Sequence, residues 1–331
     1  MENNLELLSI GDASLDVFMT PSETETLCQL NTKEALIAFS YGDKIPVNNF
    51  EISIGGNAAN NAVGTKRLGV NSAVVLTLGD DDIGTKIIEK LKKEGVDTTY
   101  VIQQAATTSN YSTIINFAGE RTIFTYKAPR SYEFPVQLPS TPWIYLTSMG
   151  DSFRPFYNHL IDWLKKNGEV KLAFNPGSRQ LRAGIETLQD VMASSYIIYV
   201  NRKEAEMLTG LTATKGKEKE LLQALAALGP KIPIITDGAN GSFAFDGTKF
   251  VRAGVLPVDA YERTGAGDAF GSGCVAALIK GKDLGEALLW GTLNSASVIG
   301  YIGSQKGLLK GEEMPQWLDR AKSSSVEVGE F

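Results

Sequence analysis

A glycine-rich stretch late in the chain, residues 264–273, reads TGAGDAFGSG and precedes a long apolar run of helical character. Its small residues Gly265, Ala266 and Gly267 leave backbone N–H groups open to an anion, and a helix beginning there adds the positive end of its dipole. The carboxylate of Asp268 lies inside this predicted anion hole. It could take a proton from an attacking hydroxyl while the N–H groups stabilise a phosphoryl group. The stretch therefore predicts phosphoryl transfer to an alcohol.

Two other interpretations fit the same letters. The pattern loosely matches a dinucleotide-binding fingerprint, but such a fingerprint directly follows an apolar strand early in the chain, and residues 259–263 here read DAYER. A dinucleotide-dependent oxidoreductase is therefore disfavoured. Packing of small residues within a helix is the structural alternative, and it would suffice for an isolated GxG.

Polar groups recur where predicted strands end and helices begin. Asp16 follows the first short apolar strand, where it could accept hydrogen bonds from sugar hydroxyls or serve as a turn residue. Asn57 and Asn60 are three residues apart on the first turn of a predicted helix, so their amides could bind a polyol or cap that helix. Asn201 and Glu204 have the same spacing, which suits either magnesium-bound water beside phosphates or a capping box.

Composition limits the classes of function. The 331 residues carry 32 Lys and Arg against 38 Asp and Glu, so the net charge of −6 argues against a broad nucleic-acid footprint. Cys28 and Cys274 stand outside any metal-binding pattern, which predicts a reducing compartment, and the only histidine, His159, is assigned to structure. No leader or membrane-spanning run is evident, so we expect a cytoplasmic protein that contacts neither membrane nor nucleic acid.

Strand and helix patterns alternate along most of the chain, which predicts a mostly parallel sheet with helices on both faces and active residues at the carboxyl ends of its strands. The alternating residues 50–54 and a hairpin at 108–126 predict a small separate sheet. A last long helix is expected over residues 284–302, and the polar tail from Ser323 onward is expected to be loosely held.

The glycine-rich stretch resembles the second signature of the PfkB, or ribokinase-like, family of carbohydrate kinases, which runs D-T-x-G-A-G-D-x-F. The match is close from Thr264 to Phe270, with Glu262 and Arg263 in place of Asp-Thr. Residues 55–60 resemble the first signature, G-G-x-x-x-N, and the glycines of a G-D-D-x-x-G loop follow at 79–84. The resemblance covers the chain from Asp16 to about Gly307. It implies a single ribokinase-like α/β domain, 1–331, with β-lid strands inserted from about 15–54 and 107–127.

The resemblance also implies roles for individual residues. Asp268 would be the catalytic base, with Gly265, Ala266 and Gly267 as the anion hole. Glu204 would hold magnesium through water, and Asn294 would lie against the adenine of ATP. The remaining implied site residues are, for the substrate, Asp16, Gly55, Gly56, Asn57 and Asn60, and for the nucleotide, Asn201, Thr236, Gly238 and Gly241.

The implied activity is transfer of the γ-phosphoryl group of ATP, with Mg²⁺, to a primary hydroxyl of a sugar, in a homodimer joined through the lid. A nucleoside kinase of the same family is the alternative. A non-catalytic sugar-binding regulator is a third, favoured by Glu262 and Arg263 but opposed by the retained Asp268. Those two replacements also speak against activation by a monovalent cation. Arg121 and Lys127 could reach a substrate from the hairpin, although a basic residue on a solvated strand face is the favoured interpretation.

Overall fold

Two β-sheets organise the protein in a computed structural model that describes residues 4–22, 27–29, 36–117, 120–212 and 215–331. The larger sheet has ten strands in the order β16-β15-β14-β13-β12-β11-β10-β1-β6-β7. From β7 to β13 neighbouring strands are parallel, and from β13 to β16 they are antiparallel. Its strands are β1 Leu7–Gly11, β6 Ser72–Gly79, β7 Asp97–Gln104, β10 Trp143–Leu146, β11 Lys171–Phe174, β12 Ile197–Asn201, β13 Ile232–Thr236, β14 Ser242–Phe245, β15 Phe250–Ala253 and β16 Val328–Glu330.

Helices cover both faces of this sheet, as the sequence predicts. Strands β1 and β6 are buried at every residue, which is the pattern of parallel strands packed on two sides. One face carries α3, α5, α6 and α7, and the other carries α1, α2, α8 and α9. The helices are α1 Asn57–Arg67, α2 Asp82–Lys93, α3 Phe153–Lys166, α4 Ser178–Arg182, α5 Ile185–Ser194, α6 Arg202–Thr209, α7 Glu218–Ala227, α8 Ala266–Ile279, α9 Leu284–Val298 and α10 Met314–Ser323.

The smaller sheet lies apart from the large one and contains β2 Ser14–Pro21, β5 Val47–Gly55, β8 Asn110–Phe117 and β9 Glu120–Tyr126, in the order β5-β2-β8-β9. A short pair, β3 Leu27–Gln29 and β4 Leu36–Ala38, stands separately. Asp16 was expected between strands, but it lies within β2 and pairs with Ser53 on one side and Ser112 on the other. Residues 23–26 and 30–35 of the predicted lid segment lie outside the described residues.

The prediction of a loosely held C-terminal tail is wrong. Residues 328–330 form β16 and extend the large sheet by pairing with β15. The ring of Phe331 packs edge-on against Phe243 and Phe250, and the Lys219 ammonium lies 5.3 Å from its centre. The last long helix is also shorter than predicted, because α9 ends at Val298. Strand β7 was not predicted from the sequence. Most of its side chains are half-buried, and its apolar and polar residues do not alternate regularly.

Helices α1 and α8, which carry the two signatures, pack at very close range. A Cβ atom on Gly64 would lie 2.7 Å from the Cβ of Ser272, so α8 can approach only because residue 64 has no side chain. The Ser272 hydroxyl is buried and donates to Ala269 O at 3.0 Å. This contact holds α1 and α8 together about two turns after their starts.

Candidate active site

The predicted anion hole is formed by the first turn of α8. Its N-cap, Gly265, has a left-handed backbone with φ of 82°, and a Cβ there would come within 2.5 Å of the Ser304 Cβ. Both facts require glycine. Gly267, in the first turn of α8, is exposed, and a Cβ on it would meet no atom within 4 Å, so the space beside it is open. Ala266 donates its N–H weakly to Arg263 O at 3.3 Å.

Asp268 is the third residue of α8, and its carboxylate is held by the first signature. Asn57 Nδ2 donates to Oδ1 at 2.9 Å, and Asn60 Nδ2 donates to Oδ2 at 2.7 Å. Burial raises the pKa of Asp268 to about 6, against the lowering effect of these two hydrogen bonds, and Asp16 raises it further. The sequence left polyol binding and helix capping open for the two asparagines, and the resemblance implied substrate binding. In the structure their amide donors hold the carboxylate.

The second carboxylate of the site, Asp16, has space only because Gly55 has no side chain, and Gly56 lets the backbone pass close to Asp12. A Cβ on Gly55 would lie 2.8 Å from Asp16 Cγ, and one on Gly56, whose φ is 91°, would lie 2.7 Å from Asp12 O. Ser14 Oγ donates to Asp16 Oδ1 at 2.8 Å. Burial is the largest effect on the pKa of Asp16 and raises it above the usual aspartate value. Gly55 and Gly56 thus shape the site through their missing side chains.

Asp12 is a site residue that sequence reasoning missed. It follows β1 directly, at a carboxyl strand end, which was the available signal. Its carboxylate is 1% exposed, pairs with Lys127 Nζ at 3.0 Å and accepts from Tyr132 Oη at 3.0 Å. Lys127 therefore does not point from a solvated strand face, because the buried carboxylate holds it. Its charge also acts to lower the pKa of Asp268, which places it near the base.

Glu262 and Arg121 connect the small sheet to the anion hole. Glu262 is 6% exposed, and its Oε1 accepts from the backbone N–H of Thr264 at 2.7 Å and from the Thr264 hydroxyl. Arg121, on β9, approaches the same oxygen to 3.7 Å. Arg263 is exposed, and Arg121 is the cation that the structure brings to Glu262.

A second group of predicted residues assembles at the ends of β12 and β13. Asn201 pairs in register with Thr236, and Gly238 and Gly241 shape the turn that follows, with φ of 52° and 91°. Asn201 Oδ1 accepts from Glu204 N at 3.0 Å while Glu204 Oε2 accepts from Asn201 N at 2.8 Å, which is the reciprocal capping box. Burial raises the pKa of Glu204.

Asn294, expected against adenine, is placed elsewhere. Its side chain is fully buried on α9, where Nδ2 donates to Ala269 O at 2.8 Å and to Ser272 Oγ at 3.1 Å, and Oδ1 accepts from Leu309 N at 2.8 Å. Both ends of the amide are occupied. Asn294 therefore ties α9 to α8, and the prediction of an adenine contact is corrected.

The arrangement of a layered α/β sheet, a smaller sheet and a carboxylate at the first turn of a glycine-rich helix defines a ribokinase-like kinase. The family model described as pfkB family carbohydrate kinase matches residues 24–310, and the chain belongs to that family. It is therefore a kinase, an enzyme that transfers phosphate to a hydroxyl group. Within the described residues, no helix is long and apolar enough to cross a membrane.

Curated relatives and solved structures agree with this assignment. The chain is 29% identical to an ATP-dependent 6-phosphofructokinase of Thermoanaerobacterium thermosaccharolyticum, over 81% of this chain and 86% of that protein. It is 26% identical to a ribokinase of Haemophilus influenzae, over 85% and 92%. The structure of Arabidopsis thaliana ribokinase complexed with ribose and ATP matches the fold with a TM-score of 0.76 at 21% identity, covering 95% of this chain and 98% of that one.

Proposed function

We propose that the protein is an ATP-dependent sugar kinase that phosphorylates a primary hydroxyl, with Asp268 as the general base. The observation that carries this proposal is the carboxylate of Asp268, which has a pKa of about 6 and lies in the first turn of α8 beside the exposed Gly267. A base with a pKa just below neutral is ionised at pH 7 and still accepts a proton readily.

The transfer step follows from this placement. Asp268 takes the proton of the substrate hydroxyl as that oxygen forms its bond to the γ-phosphorus, and the bond from phosphorus to the ADP oxygen breaks. The first-turn N–H groups of α8 lack intrahelical acceptors and stabilise the charge on the transferred group. Asn57 and Asn60 hold the carboxylate at 2.9 and 2.7 Å, so its lone pairs keep a fixed direction. The products are ADP and a phosphorylated sugar.

ATP is assigned to the strand-end group at β12 and β13. Support comes from Asn201 and Thr236, which lie side by side at the ends of these strands. Further support comes from the open space at Gly238, where a Cβ would meet no atom within 4 Å. Magnesium in kinases is held mainly by phosphates and water with one or two carboxylates. Glu204 fits such a water-mediated role, because only its Oε2 is used in the capping box. The bound ion would neutralise charge on the phosphates.

The sugar is assigned to the space between the small sheet and α1. Asp16, on β2, is close enough to Asp268, on α8, that its charge raises the pKa of Asp268. Two carboxylates provide acceptors for several hydroxyl groups. The small sheet would act as a lid that excludes water, the competing acceptor.

The outer face of the small sheet supports a homodimer. Ile52 and Phe124 lie in one row across the sheet and are 53% and 59% exposed, and Phe50 and Tyr126 extend the same apolar face at 57% and 50%. Burying this face against a second copy would remove an unusual apolar surface from water. Light scattering that gives a monomer mass at micromolar concentration would contradict this assembly.

We propose further that the enzyme works without a monovalent cation, because Arg121 places a positive charge beside the buried Glu262. Rates that rise with potassium would contradict this. The protein is also assigned to the cytoplasm, with support from the buried, unpaired thiol of Cys274, and fractionation of cells checks that assignment.

The deciding experiment is a coupled ADP-release assay with magnesium against pentoses, hexoses, keto-deoxy acids and nucleosides. A strong sugar acceptor supports the proposal, and a nucleoside acceptor would replace it with the nucleoside-kinase alternative. In the same assay Asp268→Asn should lose at least about 10²-fold in kcat, the scale of a missing general base, with ATP binding retained. Binding of ATP and sugar without turnover in the unaltered protein would favour the regulator.

A further inference from the structure

The turn that follows α9 reaches back to the first signature. Ser304 and Gln305, each 2% exposed, converge on Asn60: Ser304 Oγ and Gln305 Nε2 both donate to Asn60 Oδ1 at 3.0 Å. The other end of the same amide donates from Nδ2 to Asp268 Oδ2 at 2.7 Å. Asn60 is therefore the middle of a buried chain of hydrogen bonds that ends at the proposed base.

The direction of every bond in this chain is set by chemistry. An ionised carboxylate only accepts, so Asn60 must present its NH₂ to Asp268 and its oxygen to the turn. That oxygen then requires donors, which Ser304 and Gln305 supply. If the Asn60 amide rotated by half a turn, its oxygen would face the carboxylate of Asp268 with no proton between the two oxygens.

The turn itself is held rigidly. Arg67 Nη1 donates to Gln305 O at 2.7 Å and to Leu308 O at 3.1 Å, and the same guanidinium is clamped by Glu94 at 2.9 and 2.8 Å. Ser304 also abuts Gly265, the N-cap of α8. A turn fixed at both ends can fix the amide that it touches.

We propose that Ser304 and Gln305 are positioning residues for the phosphoryl transfer, which lock the Asn60 amide so that its NH₂ faces the ionised carboxylate of Asp268. This inference rests on the proposed role of Asp268 as base. Neither residue needs to touch sugar or nucleotide. Their effect on the reaction passes through Asn60, and it should therefore appear in the pH dependence of kcat and leave the KM for ATP unchanged.

The test compares Ser304→Ala and Gln305→Leu with Gln223→Leu, a control on the exposed face of α7. We expect the two turn variants to lose about 3–10-fold in kcat at pH 6.5 and to shift the acid limb upward by about 0.5–1 pH unit, the scale of one weakened hydrogen bond to a charge. The control should match the unaltered enzyme. Melting temperature and ATP binding, measured on every variant, separate this effect from unfolding, and Ser304→Ala makes the smaller change of volume.

A second background makes the test specific. Asn60→Ala already breaks the chain of hydrogen bonds between the turn and Asp268. Adding Ser304→Ala to it should therefore shift the acid limb no further. If Ser304 acted independently of Asn60, the second substitution would add its own shift. An unmoved acid limb in Ser304→Ala and Gln305→Leu, with Asp268→Asn inactive, would overturn this inference alone. Full activity of Asp268→Asn would instead overturn the proposed function.

Discussion

The hydrogen bond from Asn57 to Asp268 gives a quantitative prediction for the pH dependence of the enzyme. Asn57 Nδ2 donates to Oδ1 at 2.9 Å and so favours the ionised carboxylate, whose pKa burial raises to about 6. A hydrogen bond to a charged group contributes about 1.5–3 kcal/mol, and one pKa unit corresponds to about 1.4 kcal/mol. Because Asp268 is only partly buried, water can replace part of the lost bond. We therefore expect Asn57→Ala to raise the pKa by about one unit.

The sign of the change in rate follows directly. The base must be ionised, so kcat falls as pH drops through the pKa, and a higher pKa moves that fall toward neutral pH. With the acid limb moved from about 6 to about 7, the ionised fraction at pH 6 drops about fivefold, and at pH 7 about twofold. Above about pH 8.5 the Asp268 carboxylate is ionised both in the unaltered enzyme and in Asn57→Ala. The ratio of their kcat values should therefore stop changing with pH.

The assay is ADP release at saturating sugar and ATP from pH 5 to pH 9, with Asn158→Ala on the exposed face of α3 as the matched control. Saturation matters because Asn57 was also predicted to contact substrate, and a change in KM alone would then leave kcat untouched. An acid limb in Asn57→Ala equal to that of the unaltered enzyme, with an unchanged melting temperature, would refute this prediction.

Three further predictions concern shape and stability. Gly55→Ala should raise the sugar KM at least about tenfold by crowding the buried carboxylate beside it, while Gly168→Ala, where a Cβ meets no atom within 4 Å, should behave normally in the same assay. The Arg67 guanidinium lowers the pKa of Glu94 from 4.5 to about 2, so Glu94 stabilises the fold above about pH 4.5 and loses that effect as pH falls toward 2. Urea unfolding should show Glu94→Gln about 1–3 kcal/mol less stable than the unaltered protein at pH 7, with most of that difference lost near pH 2.5. Phe331→Ala should lower the unfolding free energy by about 1–2 kcal/mol, and no change in denaturant midpoint would mean that the tail is not held by its ring.

Much of the fold could be predicted because its signals are local. The strands β1 and β6 are mostly apolar, and the glycines at 55, 56 and 265 stand where only glycine fits. Asp268 could be singled out because it stands inside such a turn at the start of an apolar helix. Short-range sequence pattern and short-range structure agree at these places.

The partners of these residues could not be predicted, because they are distant in sequence. Lys127 meets Asp12 across 115 positions, and Gln305 meets Asn60 across 245. The periodicity of a sequence does not show which strand end or turn contacts which other one in the fold. Asn294 was assigned to adenine by resemblance, whereas packing of α9 on α8 buries it. The tail was expected to be loose because it is polar and short, yet it pairs with an exposed sheet edge.

The contact between Gly64 and Ser272 has a consequence for how this enzyme can change. Atoms at these two positions compete for the same space, since even a methyl group at 64 would lie 2.7 Å from the Ser272 Cβ. The asparagines and the base sit at the starts of the two helices that meet there. A larger side chain at position 64 or 272 requires a smaller side chain or a backbone shift at the other position. The two signatures must therefore vary together. Consider a chimera that combines α1 from one family member with α8 from another. Such a chimera would fold, but the asparagine amides of its α1 would be misaligned with the aspartate carboxylate of its α8.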